Sequence, residues 1–113
     1  MARVRLALSI RQPYAELILV GKKRFEYRSQ KTRIRERVYI DASKAKSELS
    51  EWRKAGLEEG SLPTGVIVGT VEITASHARK DSYAWKLENP IRAKRMQKPR
   101  NQPQPVWFCP FSG

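Results

Sequence analysis

Residues 8–29, LSIRQPYAELILVGKKRFEYRS, set the fold, because the apolar period changes twice within them. Leu6, Leu8 and Ile10 alternate with Arg5, Ala7 and Ser9, the pattern of a half-buried strand, placed at Arg3 to Ile10. Pro13 sits where a first helical turn tolerates a missing N–H. Tyr14, Leu17, Ile18 and Val20 then share one face of a short helix, Tyr14 to Leu19, which Gly21 stops. Glu16 faces solvent near the positive helix end. A charged strand follows at Arg24 to Arg28, with Phe25 and Tyr27 on one side and Glu26 and Arg28 on the other. Strand, helix, glycine turn and charged strand in this order describe the wall of a pocket.

Outward from this wall, the chain alternates strands with short breaks. Arg37 to Ala42 (RVYIDA) reads as a strand, and Ser47 as the N-cap of a helix from Glu48 to Ala55 that Gly56 ends. Val66 to Ile73 (VIVGTVEI) is the most apolar strand and is expected at the centre. Gly69 within it signals a bulge or a close backbone approach. Tyr83 to Leu87 alternates aromatic and polar residues, and Pro90 is expected to break it. Ile91 to Gln104 reads as a basic, proline-spaced connection, and Val106 to Phe111 as a terminal strand. Five or six strands with two short helices in one domain over residues 1–113 predict an α+β fold, a curled mixed sheet or small β-barrel.

Charge narrows the function. The chain holds 23 Lys/Arg against 11 Asp/Glu, a formal net charge of +12. Residues 22–37 hold eight basic and two acidic groups and residues 79–100 the same, whereas residues 38–78 hold four and six. Two basic blocks around a mildly acidic middle predict a localised field and a polyanionic partner, nucleic acid first. Cys109 and His77 are each the only residue of their type, so an intramolecular disulfide is excluded and a His/Cys metal site is not expected. No cofactor is implied. There is no apolar run of 18 residues and no signal or lipidation motif, so no membrane role is expected, and a soluble, cytoplasmic monomer is.

Candidate site residues cluster in the opening stretch. Lys23, Glu26 and Arg28 form either a proton-transfer or nucleophilic group, a phosphate grip, or a surface ion-pair ladder of little consequence. Arg11, Gln12 and Tyr14 stand at a helix start, where free N–H groups favour anions; Tyr14 serves equally well in a core. Lys22 adds charge, and Ser43 and Lys44 a hydroxyl and a charge, or an ordinary turn. Glu72 either enters the pocket as a general base or faces solvent beside Thr70. Trp85, with Tyr83, Trp107 and Phe108, either stacks on bases or packs a core. Arg92, Lys94, Arg95, Lys98 and Arg100 are spaced for phosphate contacts. Neither a serine-hydrolase triad nor a phosphate-binding glycine loop has support.

The run Leu8 to Ala15 (LSIRQPYA), followed by Gly21-x-Lys23-x-x-Glu26-x-Arg28-Ser29, resembles the opening signature of the ASCH domain, a branch of the PUA-like superfamily. Val38 to Lys44 (VYIDASK), Gly65 to Ile73, Trp85-x-Leu87-Glu88-Asn89-Pro90 and Val106 to Phe108 extend the likeness in the expected order. The resemblance implies a barrel of roughly six strands with a helix between the first two, and RNA or other nucleic-acid binding in a basic cleft. One bacterial branch hydrolyses N4-acetylcytidine, a modified nucleoside, through a lysine, a threonine and a glutamate. Its lysine matches Lys23 and its glutamate Glu72, whereas its threonine position is Glu26 here, a carboxylate in place of a hydroxyl. Ribonuclease activity is associated with other members. Three readings follow: a nucleic-acid-binding module; a hydrolase of a modified nucleoside or of RNA, using Lys23 with Glu26 or Glu72; and a scaffold that docks on a larger RNA–protein machine.

Overall fold

The computed structural model describes residues 3–111. Its elements run β1 (Ala7–Arg11), α1 (Tyr14–Leu19), β2 (Phe25–Arg28), β3 (Arg37–Ser43), α2 (Leu49–Ala55), β4 (Val66–Ala78), β5 (Tyr83–Gln97) and β6 (Trp107–Phe108). The six strands form one mixed sheet in the order β2-β5-β4-β3-β1-β6, with β1 and β3 parallel and the other pairs antiparallel. The α+β class with six strands and two short helices is as expected. The barrel is not: the hydrogen-bonded order ends at β2 and β6 and does not close. Side chains draw the ends together instead. The Arg28 Nη2 donates to the Ser9 carbonyl of β1 at 3.1 Å. The Trp85 and Trp107 rings stack at 5.6 Å with an 8° interplanar angle.

The main core lies inside this curl. Leu8, Ile10, Val38, Ile40, Val68, Val71, Ile73 and Leu87 meet Ala15 and Ile18 of α1 there. Helix α1 approaches closely because Gly69 has no side chain: a Cβ there would strike Leu19 Cδ2 and the Ile91 carbonyl oxygen. The β4–β5 register also slips between Ile67 and Gly69, so both expectations for this glycine hold. Val20, by contrast, leaves the helix face; it follows the last helical residue and is exposed. A smaller cluster of Ala7, Ile67 and Phe108, with Tyr39 and Phe111 against it, sits apart from the main core.

Three local expectations need correction. Residues 3–6 precede β1 rather than belonging to it. Ser47 is not the cap of α2, because its buried hydroxyl donates to the Gln12 carbonyl at 2.7 Å. Glu48 is the N-cap, and its N–H donates to Glu51 Oε2 at 2.7 Å. Most importantly, β5 does not stop at Leu87 but continues to Gln97. Glu88 faces Glu72 and Ile91 faces Thr70, so Asn89 and Pro90 oppose Val71 alone in a bulge. Asn89 takes a left-handed conformation there, φ 51°, and the absent N–H of Pro90 interrupts no regular ladder.

Candidate nucleic-acid cleft

The end of α1 places the first cation. Gly21 turns with φ +82°, and the N–H groups of Lys22 and Lys23 both donate to the Leu17 carbonyl, at 2.9 and 3.0 Å. This pair of hydrogen bonds fixes the backbone from which Lys23 projects. Strand β2 supplies the partners. Glu26 lies opposite Trp85 of β5, and directly opposed residues point to the same face. Trp85 belongs to the core, so Glu26 and Arg28 face inward from the sheet edge while Tyr27 is left 50% exposed.

These side chains form a closed network. Arg28 Nε donates to Glu26 Oε2 at 2.9 Å, and Lys23 Nζ stands 3.7 Å from Glu26 Oε1. The Glu26 side chain is 13% exposed and that of Lys23 18%. Lys23 Nζ also lies 5.4 Å from the Tyr14 ring centroid and 5.2 Å from that of Tyr27, within cation–π reach of both. Arg28 lies 5.7 Å above the Trp85 ring. The Tyr14 hydroxyl donates to Glu51, and this bond, with burial and the carboxylate charge, pushes the phenol up to about 12. The same hydrogen bond, aided by the Glu48 N–H, holds the Glu51 carboxyl below its usual range. Tyr14 therefore stays a neutral ring and donor beside Lys23.

Around the network is a cavity of about 690 Å³, the size of a small-ligand site. Arg11 and Ser43 line it together with Tyr14, Lys23, Glu26, Tyr27 and Arg28, and residues Pro103 to Val106 form its far wall. Sequence reasoning gave this proline segment no part in the site. It also missed Tyr27, whose outer ring face carries Arg79 at 5.5 Å, and Ser9, whose carbonyl anchors Arg28. The only advance signal was the repeated proline at 103 and 105, which stiffens a segment without marking what it covers.

Other expected residues stand elsewhere. Gln12 is buried and engaged at both atoms of its amide: its Nε2 donates to the Pro63 carbonyl at 3.0 Å and its Oε1 accepts the Glu16 N–H at 3.0 Å. It completes the start of a six-residue helix rather than leaving N–H groups open to an anion. Trp85 is 1% exposed, packed on Trp107, with its indole N–H donating to the Gln30 carbonyl at 3.0 Å, so it supports the cleft from beneath and presents no face to a base. Glu72 is outside the cleft, on the face of β4 that it shares with Thr70. Arg37 binds both, 2.9 Å to Thr70 Oγ1 and 3.1 Å to Glu72 Oε1. Arg92 makes a bidentate pair with Glu16, both bonds 2.8 Å. Lys22 is exposed beyond the turn, and Lys94 and Arg95 are exposed along the far half of β5. Ser43 Oγ accepts the Ala45 N–H at 3.0 Å, while Lys44 opens onto a neighbouring cavity.

The cleft is bounded by the turn at Gly21, and Lys23, Glu26 and Arg28 converge in it. The ASCH domain family matches residues 8–109. The chain belongs to the ASCH domain family. A comparison with curated proteins returns no match. Within this ASCH domain, no group of three or more His, Cys, Asp or Glu is placed to hold a metal among the described residues. No helix among them is long and apolar enough to cross a membrane.

Proposed function

We propose that this ASCH domain binds RNA or another nucleic acid and seats one nucleotide in the cleft. The state of Glu26 carries the reading. Each of its oxygens is engaged by a cation, Lys23 on one side and Arg28 on the other. A carboxylate so occupied is poorly placed to act as a general base, and an ammonium set between a carboxylate and two ring faces is arranged as a cation, not as a free amine nucleophile. The other carboxylate that amide hydrolysis would need, Glu72, is paired with Arg37 away from the cleft. Arg11, Lys23 and Arg28 against Glu26 leave the cleft net positive, suited to phosphate. Tyr27 and Tyr14 supply ring faces and Ser43 a hydroxyl at the rim.

The test is incubation with N4-acetylcytidine and, separately, with single-stranded RNA, comparing wild type and Lys23→Ala. The expected result is RNA binding that weakens with salt and with Lys23→Ala, and no deacetylated product. Release of cytidine that depends on Lys23 overturns the binding reading in favour of the hydrolase.

A further inference from the structure

The remaining cations are not spread evenly. Arg3 and Arg5, from the segment before β1, meet Lys98 and Arg100, from the segment after β5, around a second cavity of about 740 Å³. Tyr39 and Phe111 also line it, their rings edge to face at 5.4 Å and 90°. Among the described residues no carboxylate lies within ion-pair distance of any of the four cations, and none of their side chains donates a hydrogen bond. Four like charges held around one concavity without a counter-charge repel one another. Among the described residues no group offsets that repulsion, and an anionic ligand would.

A third cavity, of about 290 Å³, shares lining residues with both this pocket and the cleft. Lys98 lines both the rear pocket and the third cavity, while Ser9, Ser43 and Pro103 line both the third cavity and the cleft. Lys44 adds a fifth cation there. Three concavities with shared linings, and aromatic rings in the two outer ones, suit an unpaired strand with exposed base faces better than a duplex.

We propose that the Arg3–Arg5–Lys98–Arg100 pocket is a second phosphate-backbone site, gripping the same single strand of nucleic acid whose nucleotide occupies the cleft. The proposal rests on the nucleic-acid reading above and extends it from one nucleotide to a track. Rear and cleft sites differ in what they need: the cleft engages a mononucleotide, whereas the rear site contributes only when the strand is long enough to reach it.

Uridine 5′-monophosphate and an oligouridylate of about 12 nucleotides, within the range of single-strand sites of small domains, test this by titration across a salt series. The variants are Arg5→Gln/Arg100→Gln, both at exposed positions, and Lys23→Ala. The rear double variant is expected to leave mononucleotide affinity unchanged and to weaken the oligomer about tenfold at low salt. Its log K against log salt slope should fall by about 1.4, two phosphate contacts at about 0.7 each. Unchanged oligomer affinity and slope, or an equal loss for both ligands, overturns the rear site. Wild type that binds the oligomer with a slope dependent on Arg5 and Arg100, yet binds no mononucleotide, sinks the cleft reading and leaves the rear site standing. Failure to bind either ligand overturns both.

Discussion

The cleft and the rear pocket carry the same sign of charge but are built in opposite ways. In the cleft two cations are tied: Lys23 to Glu26 and two rings, Arg28 to Glu26, the Ser9 carbonyl and the face of Trp85. Beneath them lies the main core. The rear cations have no such ties among the described residues, and the small cluster under them is a fringe of Ala7, Ile67 and Phe108. Tied cations lose little freedom when a ligand arrives, so they select for geometry. Untied ones gain through released counterions and select for charge and length. The largest expected effect probes the foundation of this contrast. Trp85→Ala should cost about 3–5 kcal/mol in thermal unfolding, as a buried tryptophan does, and Phe111→Ala less than half of that because its ring is only half buried. Equal losses would mean that the two sites rest on equally firm ground and that the contrast is wrong.

Within the cleft, Arg28→Ala removes the bond to Ser9 and one of the two cations on Glu26. It should weaken a mononucleotide about tenfold to a hundredfold, roughly 1.4–2.8 kcal/mol, with a measured Tm change of only a few degrees. A lost fold instead of lost affinity would make Arg28 a strut for the sheet ends alone. Glu26→Gln pushes the other way and makes the cleft resemble the rear pocket. Freed of their counter-charge, Lys23 and Arg28 should bind a long strand a few-fold more tightly, with a steeper salt dependence. If Glu26→Gln instead weakens every ligand, the carboxylate reads the nucleotide directly and is not merely a tether.

How far this contrast could be read in advance depends on where each residue leaves a local signal. Helix α1, the Gly21 stop and the two faces of β2 were legible because period and punctuation lie within a few residues of one another. The face of β2 that turns inward was not. Phe25 and Tyr27 are the apolar pair, yet Glu26 and Arg28 face the core side, since pairing with Trp85 sets the face and pairing is nonlocal. Glu72 shows the same limit: alternation put it with Thr70, but only the Arg37 contact settles that this face lies outside the cleft. The far half of β5 escaped because its side chains alternate no apolar face, and Pro90 hides in a bulge that the sequence cannot announce. The rear pocket joins residues almost a hundred positions apart, Arg3 with Arg100, and no window along the chain holds both.

Asp41 lies between the two sites and gives the smallest and most specific test. It is 1% exposed, at the third cavity. Its Oδ2 accepts the Ser9 hydroxyl at 2.9 Å, while its Oδ1 has no partner among the described residues. Burial pushes its carboxyl up from the ordinary 3.8, against the opposing pull of the Ser9 bond and the Lys44 charge. A group whose folded value is raised contributes stability that is complete below the unfolded value and is lost as pH climbs through the folded one. Ionised Asp41 is thus a cost at neutral pH, and Asp41→Asn should relieve it by about 1 kcal/mol. The Tm advantage of the variant should vanish near pH 3.5 and grow as pH rises toward 7. Other titrations shared by both proteins cancel in that difference, so an advantage independent of pH would show that Asp41 is not the source. The same pair sharpens the comparison of sites. A strand laid from cleft to rear pocket passes this carboxylate, and removing its charge should favour the oligomer over the mononucleotide. Equal gains for both would place Asp41 off the path.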